Sequence, residues 1–302
     1  MSVKRISKYK SLFILYALYI IFWIIFIPFI RSPIFPNFPD ATLTRFVPAQ
    51  DMVLELAIIF LIILPISSII SLLIGGYLLT PIVIILHRAF FRNKMFYGIQ
   101  YKSNLEEGRF ISLGFYPVLM SINLASIFNS PQTWGFLLES NLVDEIELAL
   151  GVPALTRFLG MTILLMFTFG ISIFLFSPVW YLQDSGIIYT NKLRVEKSEE
   201  YFVIKSIGDW FQTLLKSYAG IGAVLTYIFI VYDIITTFIN PWDLTVIALW
   251  FGLPFFLILS LIPAIIANDL IKNHRIKFTR KLSNKLGIKN KALISFEFKS
   301  EN

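Results

Sequence analysis

The chain has 302 residues, of which 57% are hydrophobic, 16% aromatic and only 15% charged, with a formal net charge of +7. Soluble domains charge about a quarter of their residues, so this balance points to lipid as the solvent. Cysteine is absent and histidine occurs only at His87 and His274, which excludes disulfides, thiolate metal sites and cysteine nucleophiles. It also leaves no multi-histidine metal centre, and neither a metal nor a cofactor is expected.

A membrane helix needs about 20 mostly apolar residues. Six segments meet that need, at 12–30, 52–86, 110–128, 158–182, 219–239 and 244–267. The first exceeds the roughly 7–15 residues of a signal-peptide core and is expected to be an uncleaved anchor helix. The second has 35 residues, about 52 Å at 1.5 Å per residue. That is well beyond a core of about 30 Å. Pro65, Gly75, Gly76 and Pro81 offer places for a kink or a re-entrant segment. Two full spans there would put Arg88, Arg92 and Lys94 on the outer side, so one kinked helix running into the cytoplasm is the better reading.

Orientation follows from lysine and arginine in the connections. The tail "MSVKRISKYK" holds four, segment 31–51 holds Arg31 and Arg45, and segment 87–109 holds five. Segment 129–157 holds only Arg157, segment 183–218 holds five, the loop "NPWD" none and the tail from 268 nine. All 26 thus divide into 23 on one side and three on the other. Both termini are expected in the cytoplasm.

Between spans three and four, "LLESNLVDEIELAL" carries Glu139, Asp144, Glu145 and Glu147 among apolar positions. It reads as a short outer surface helix with an ordinary solvated face, rather than a cation funnel. After span four, "GIIYTNKLRVEKSEEYFVIK" has β-rich runs around the polar "EKSEE" and predicts a β-hairpin. "SIGDWFQTLLKSY" follows, with Ser206 and Asp209 spaced as a variant of the capping box. Ile207, Trp210, Phe211, Leu214, Leu215 and Tyr218 then recur at helical spacing, the pattern of an amphipathic helix in the interface. The tail carries nine basic residues against three acidic ones, and Gly287 is placed to end a helical extension of span six. Such a tail fixes topology, and can bind anionic lipid at about 1 kcal/mol per cation near the surface. Nucleic acid is not expected as a partner.

The expected fold is an all-α polytopic membrane protein. It is a six-transmembrane-helix bundle over 1–268 with both termini cytoplasmic, a small cytoplasmic β-hairpin plus amphipathic helix insert at 183–218, and a basic cytoplasmic tail at 269–302.

Polar stripes mark the helix faces that avoid lipid. In span five Ala219, Gly222, Thr226, Phe229, Asp233, Thr236 and Asn240 recur every three or four residues. Ser112, Tyr116, Leu119, Asn123, Ser126 and Ser130 do so in span three, and Ser67, Ser68, Ser71 and Gly75 mark span two. Small residues let helices approach and polar ones hydrogen-bond across the contact. A carboxylate deep in hydrocarbon costs at least about 2.5–3.5 kcal/mol, and Asp233 lies seven residues, about 10 Å, below Asn240. Asp233, Thr226, Thr236, Asn123 and Glu55 form the candidate intramembrane polar site, with Arg31 and Arg157 as charge partners able to snorkel toward it. A hydrogen-bonded seam is favoured there over a proton or cation site.

The chain contains no phosphate-binding glycine loop, no G-x-G-x-x-G, no H-E-x-x-H and no G-x-S-x-G. Glu106 and Glu107 are sequence neighbours and point apart. No catalytic residue is assigned, an enzyme is not expected, and no two-fold internal repeat is visible. Two readings remain. The first is a non-catalytic subunit or scaffold of a membrane assembly, with partner subunits in the bilayer. The second is a channel or secondary transporter for a cation or small solute, using Asp233 in an outward-facing polar cavity.

Overall fold

The computed structural model describes residues 3–30, 54, 56–91, 94–99, 109–128, 153–191, 205–236 and 244–288. Within these, α1 is Val3–Ile30, a π-helical turn at Ile59–Ile63 leads into α2, Leu64–Phe91, and β1 is Met95–Ile99. Then come α3 (Arg109–Phe128), α4 (Pro153–Ser185), β2 (Ile187–Asn191) and β3 (Lys205–Ser206). The remaining elements are α5 (Ile207–Thr236), α6 (Leu244–Leu270) and α7 (Lys272–Lys285). Four stretches are long and apolar enough to cross a membrane: Tyr9–Phe26, Leu56–Phe91, Thr162–Ser185 and Gly252–Leu270. Gly114–Ala125 is a shorter apolar helix. The acidic segment and the "NPWD" loop lie outside the described residues.

The chain divides into two compact units. The first holds Met1–Ile69, Gly114–Ser172 and Ala219–Ile266. In it, Tyr19, Trp23, Phe60 and Phe256 form a ring cluster, with Trp23 and Phe60 stacked at a centroid distance of 6.2 Å. Each such pair is worth about 0.5–1.5 kcal/mol beyond its buried area.

The same unit explains how the long second span stays helical. Pro65 has no N–H to give to the carbonyls of Phe60 and Leu61, one helical turn behind it. Hydrocarbon supplies no water in its place. Both carbonyls instead accept from side-chain hydroxyls of other helices. Ser260 Oγ donates to Phe60 O at 2.7 Å, and Tyr16 OH donates to Leu61 O at 3.2 Å. Tyr19 OH lies 3.3 Å from Ser260 Oγ, and the Leu64 N–H reaches back to Ile59 O. The backbone therefore runs helically from Leu56 to Phe91 with no re-entrant break.

The second unit holds Ile70–Leu113, Ile173–Tyr218 and Ala267–Asn302. Pro178 likewise leaves Phe174 O without its N–H, and Ser177 Oγ donates to that carbonyl at 2.7 Å. Gly75 sits directly against Phe174 O and Ser177 Oγ, and Gly76 against the Tyr181 ring, so a Cβ at either would overlap its neighbour.

The expected hairpin is one part of a three-stranded antiparallel sheet, β1-β2-β3. β1 pairs with β2 from Met95↔Asn191 to Ile99↔Ile187, and β2 pairs with β3 at Ile188↔Ser206 and Tyr189↔Lys205. Strand β1 comes from "MFYGI", a short β-prone run set among the cations that mark its loop. A core of Val83, Ile84, Leu182, Ile187, Ile207 and Ile288 closes over this region.

Residues 207–218, expected to lead into span five, are the first turns of the continuous helix α5. One position of the expected polar face, Gln212, is buried. The reason is tertiary, since Gln212 Oε1 accepts from Gln183 Nε2 at 2.9 Å. The capping box forms only in half. Ser206 Oγ accepts the Gly208 N–H at 3.0 Å, while the Asp209 carboxylate accepts from Gln183 Nε2 at 2.8 Å.

Gly76→Ala should lower stability by about 1–3 kcal/mol, because the new methyl group meets the Tyr181 ring. Gly220→Ala, where nothing lies within 4 Å of the added Cβ, should be neutral or stabilising by up to about 1 kcal/mol. Thermal unfolding in mild detergent reads both, and equal losses at the two positions would contradict the packing described.

Candidate functional site

The stripe proposed along span five is inward-facing where its side chains are described. Ala219, Gly222, Ala223 and Thr226 are buried, whereas Ile221, Val224, Leu225 and Ile228 are exposed. Asn123 of α3 is buried opposite them. Thr226 Oγ1 lies 3.5 Å from Asn123 Oδ1, at the outer limit of a hydrogen bond, and the carboxamide rests on Gly222 so closely that a Cβ there would overlap it. Two of the five candidate residues therefore meet in the structure, in a close contact made possible by a glycine.

The other members are less fully placed. Asp233 and Thr236 belong to α5 and Arg157 to α4, but their side chains lie outside the described residues. Glu55 and Arg31 lie outside them altogether. No group of three or more metal-ligating side chains occurs among the described residues.

Two constellations that sequence reading missed lie in the second unit. The first centres on Arg275, which is 1% exposed although it stands in the basic tail. Its Nη2 donates to Asp184 Oδ2 at 2.9 Å and its Nη1 to Trp180 O at 3.0 Å, and its guanidinium carbon lies 5.2 Å from the Tyr181 ring centre. All three contacts are on the last turns of α4. The cation thus meets the negative end of that helix, a carboxylate and an aromatic face together. The legible signal was the spacing of Arg275, Thr279 and Ser283, a buried polar stripe with a period of four inside a sequence that otherwise reads as solvated charge.

The second constellation is His87, buried at the end of α2. Its Nδ1 lies 3.0 Å from Tyr97 OH, and the rings of Phe91, Tyr189 and Trp210 lie 4.4–4.7 Å from its own. Burial pushes the Tyr97 phenol up to about 12, with nearby Arg88 pulling the other way. The Tyr97 hydroxyl and Nδ1 share this one hydrogen bond, while Nε2 has no hydrogen-bond partner among the described residues. The His87 ring thus packs among aromatic side chains on several sides.

Compared with known protein families, curated proteins and solved structures, the chain finds no match.

Asn123→Ala should cost about 1 kcal/mol, in the range measured for hydrogen bonds between membrane helices. Arg275→Ala should cost about 3 kcal/mol or more, because it leaves the Asp184 carboxylate without its cation. Unfolding in detergent ranks the two, and a harmless Arg275→Ala would remove the buried pair from the fold's essential contacts.

Proposed function

We propose that this chain is a non-catalytic subunit or scaffold of a membrane assembly, with six spans and both termini in the cytoplasm. The observation that carries the reading is the seam between α3 and α5. A cavity for a solute requires open space beside its polar groups, and here Asn123 is packed onto Gly222 with Thr226 beside it. The hydroxyls of Tyr16, Ser177 and Ser260 are likewise engaged on backbone carbonyls of the bundle. Polar groups spent on helix–helix cohesion suit a part whose work is to hold position and present surfaces.

The surface so presented would be the three-stranded sheet with α7 and the start of α5, on the side where 23 of 26 cations fall. Six spans are supported by the apolar segments of the sequence, and the sidedness by the alternation of charge between them.

A chain without cysteine allows both parts to be tested on a clean background. Single cysteines at Lys94 and Lys281 should react with an impermeant maleimide only after the cells are opened, and one at Asn240 should react in intact cells. Affinity purification from native membranes in mild detergent should recover a stoichiometric membrane partner. Recovery of the chain by itself, together with ion or solute flux that Asp233→Asn abolishes in a folded protein, would replace the subunit reading with transport.

A further inference from the structure

We propose that the outward face of α7 forms a binding site for anionic phospholipid. The proposal rests on the reading that α2 and α6 cross the bilayer, and it names the partner of their basic ends.

Helix α7, "KNHRIKFTRKLSNK", has six lysines and arginines, one histidine and no carboxylate. One face is committed inward. Arg275 is tied to α4, and the buried hydroxyls of Thr279 and Ser283 bond to carbonyls of their own helix. The end is fixed as firmly. Gly287, at φ +71°, closes the helix with Gly287 N–H to Asn284 O at 3.1 Å and Ile288 N–H to Ser283 O at 2.9 Å. Ile288 enters the core beside Leu282, and Arg88 of α2 donates to Leu286 O.

A helix held in this way cannot turn its charges away. His274, Lys277, Lys281 and Lys285 are exposed along one side, and none of these three lysines has a carboxylate within ion-pair distance among the described residues. An ordinary solvated helix surface mixes both signs, and this one is uniformly positive.

The position of α7 selects the partner. It starts two residues after Leu270, the last residue of an apolar window long enough to span, so Lys277 lies about 10 Å beyond that point. This is within reach of the headgroup layer. Phe278 packs edge-on against Tyr77 at 4.8 Å and Arg88 donates to Leu286 O, which sets α7 alongside the second half of α2. An anionic phospholipid headgroup lies at the depth of Lys277 wherever α6 meets the membrane surface, and its phosphate matches a face of lysines that carries no carboxylate of its own.

Native mass spectrometry of the detergent-solubilised full chain, titrated with phosphatidylglycerol or phosphatidylcholine, tests the site. Phosphatidylglycerol should bind at least about tenfold more tightly, and Lys277→Gln/Lys281→Gln/Lys285→Gln should reduce it to the phosphatidylcholine level. The charge-preserving triple arginine variant should keep the preference. In the unaltered protein, raising the salt concentration should release phosphatidylglycerol selectively, a readout that depends on no variant. Equal retention of the two lipids, or a preference that survives loss of the three lysines, would overturn the proposal. So would a single-stranded RNA oligonucleotide whose binding, unlike that of the lipid, requires those lysines. Alkaline extraction of native membranes separately reads whether the chain is integral, so a failure of the spanning reading is distinguishable from a failure of lipid selectivity.

Discussion

A backbone carbonyl that loses its N–H partner in an apolar helix has to find a donor inside the protein. This chain places prolines within α2 and α4, and each removes such a donor. The answer at Pro65 comes from α1 and α6, through Tyr16 and Ser260. At Pro178 it is local, through the preceding Ser177. A long helix can thus pass through a π-helical turn without breaking, and the places where its backbone is weakest become the places where other helices attach. The small residues follow from the same constraint. Gly75 and Gly76 lie against the Ser177–Tyr181 stretch because no larger side chain would leave room for it.

Arginine serves the second unit in a related way. Arg275 meets the end of α4, and Arg88 meets the end of α7. Each cation faces the carbonyl end of a helix, where the aligned backbone dipoles favour positive charge. The Arg275–Asp184 pair gains little net energy over an apolar replacement, since both groups must be desolvated. Its contribution is to orientation: with Arg275 inward, the remaining cations of α7 can only point outward.

Polarity along a membrane helix is ambiguous when read one helix at a time. Asn123 and Thr226 would serve a hydrated cavity or a tight seam equally well, and the distinction lies in what stands between them. At Gly222 the Asn123 carboxamide lies against the backbone of α5, a close approach that only a glycine allows. The hydroxyls on the proline-opened carbonyls have the same character, since their hydrogen-bonding capacity is already committed to cohesion.

Hydropathy by itself determined the long apolar helices, because about 20 residues without charge have few other stable states in lipid or in protein. The spacing of Ala219, Gly222 and Thr226 determined which face of α5 turns inward, and Gly287 determined where α7 ends. These are local properties with fixed periods and fixed backbone needs. The third strand, the burial of Arg275 and the inward turn of Gln212 were decided only by tertiary structure. Each depends on a partner far along the chain: Asn191 for Met95, Asp184 for Arg275, Gln183 for Gln212. The period of four in Arg275, Thr279 and Ser283 marks a helix face, but which partner that face meets is set by a helix end and a carboxylate 95 and 91 residues away.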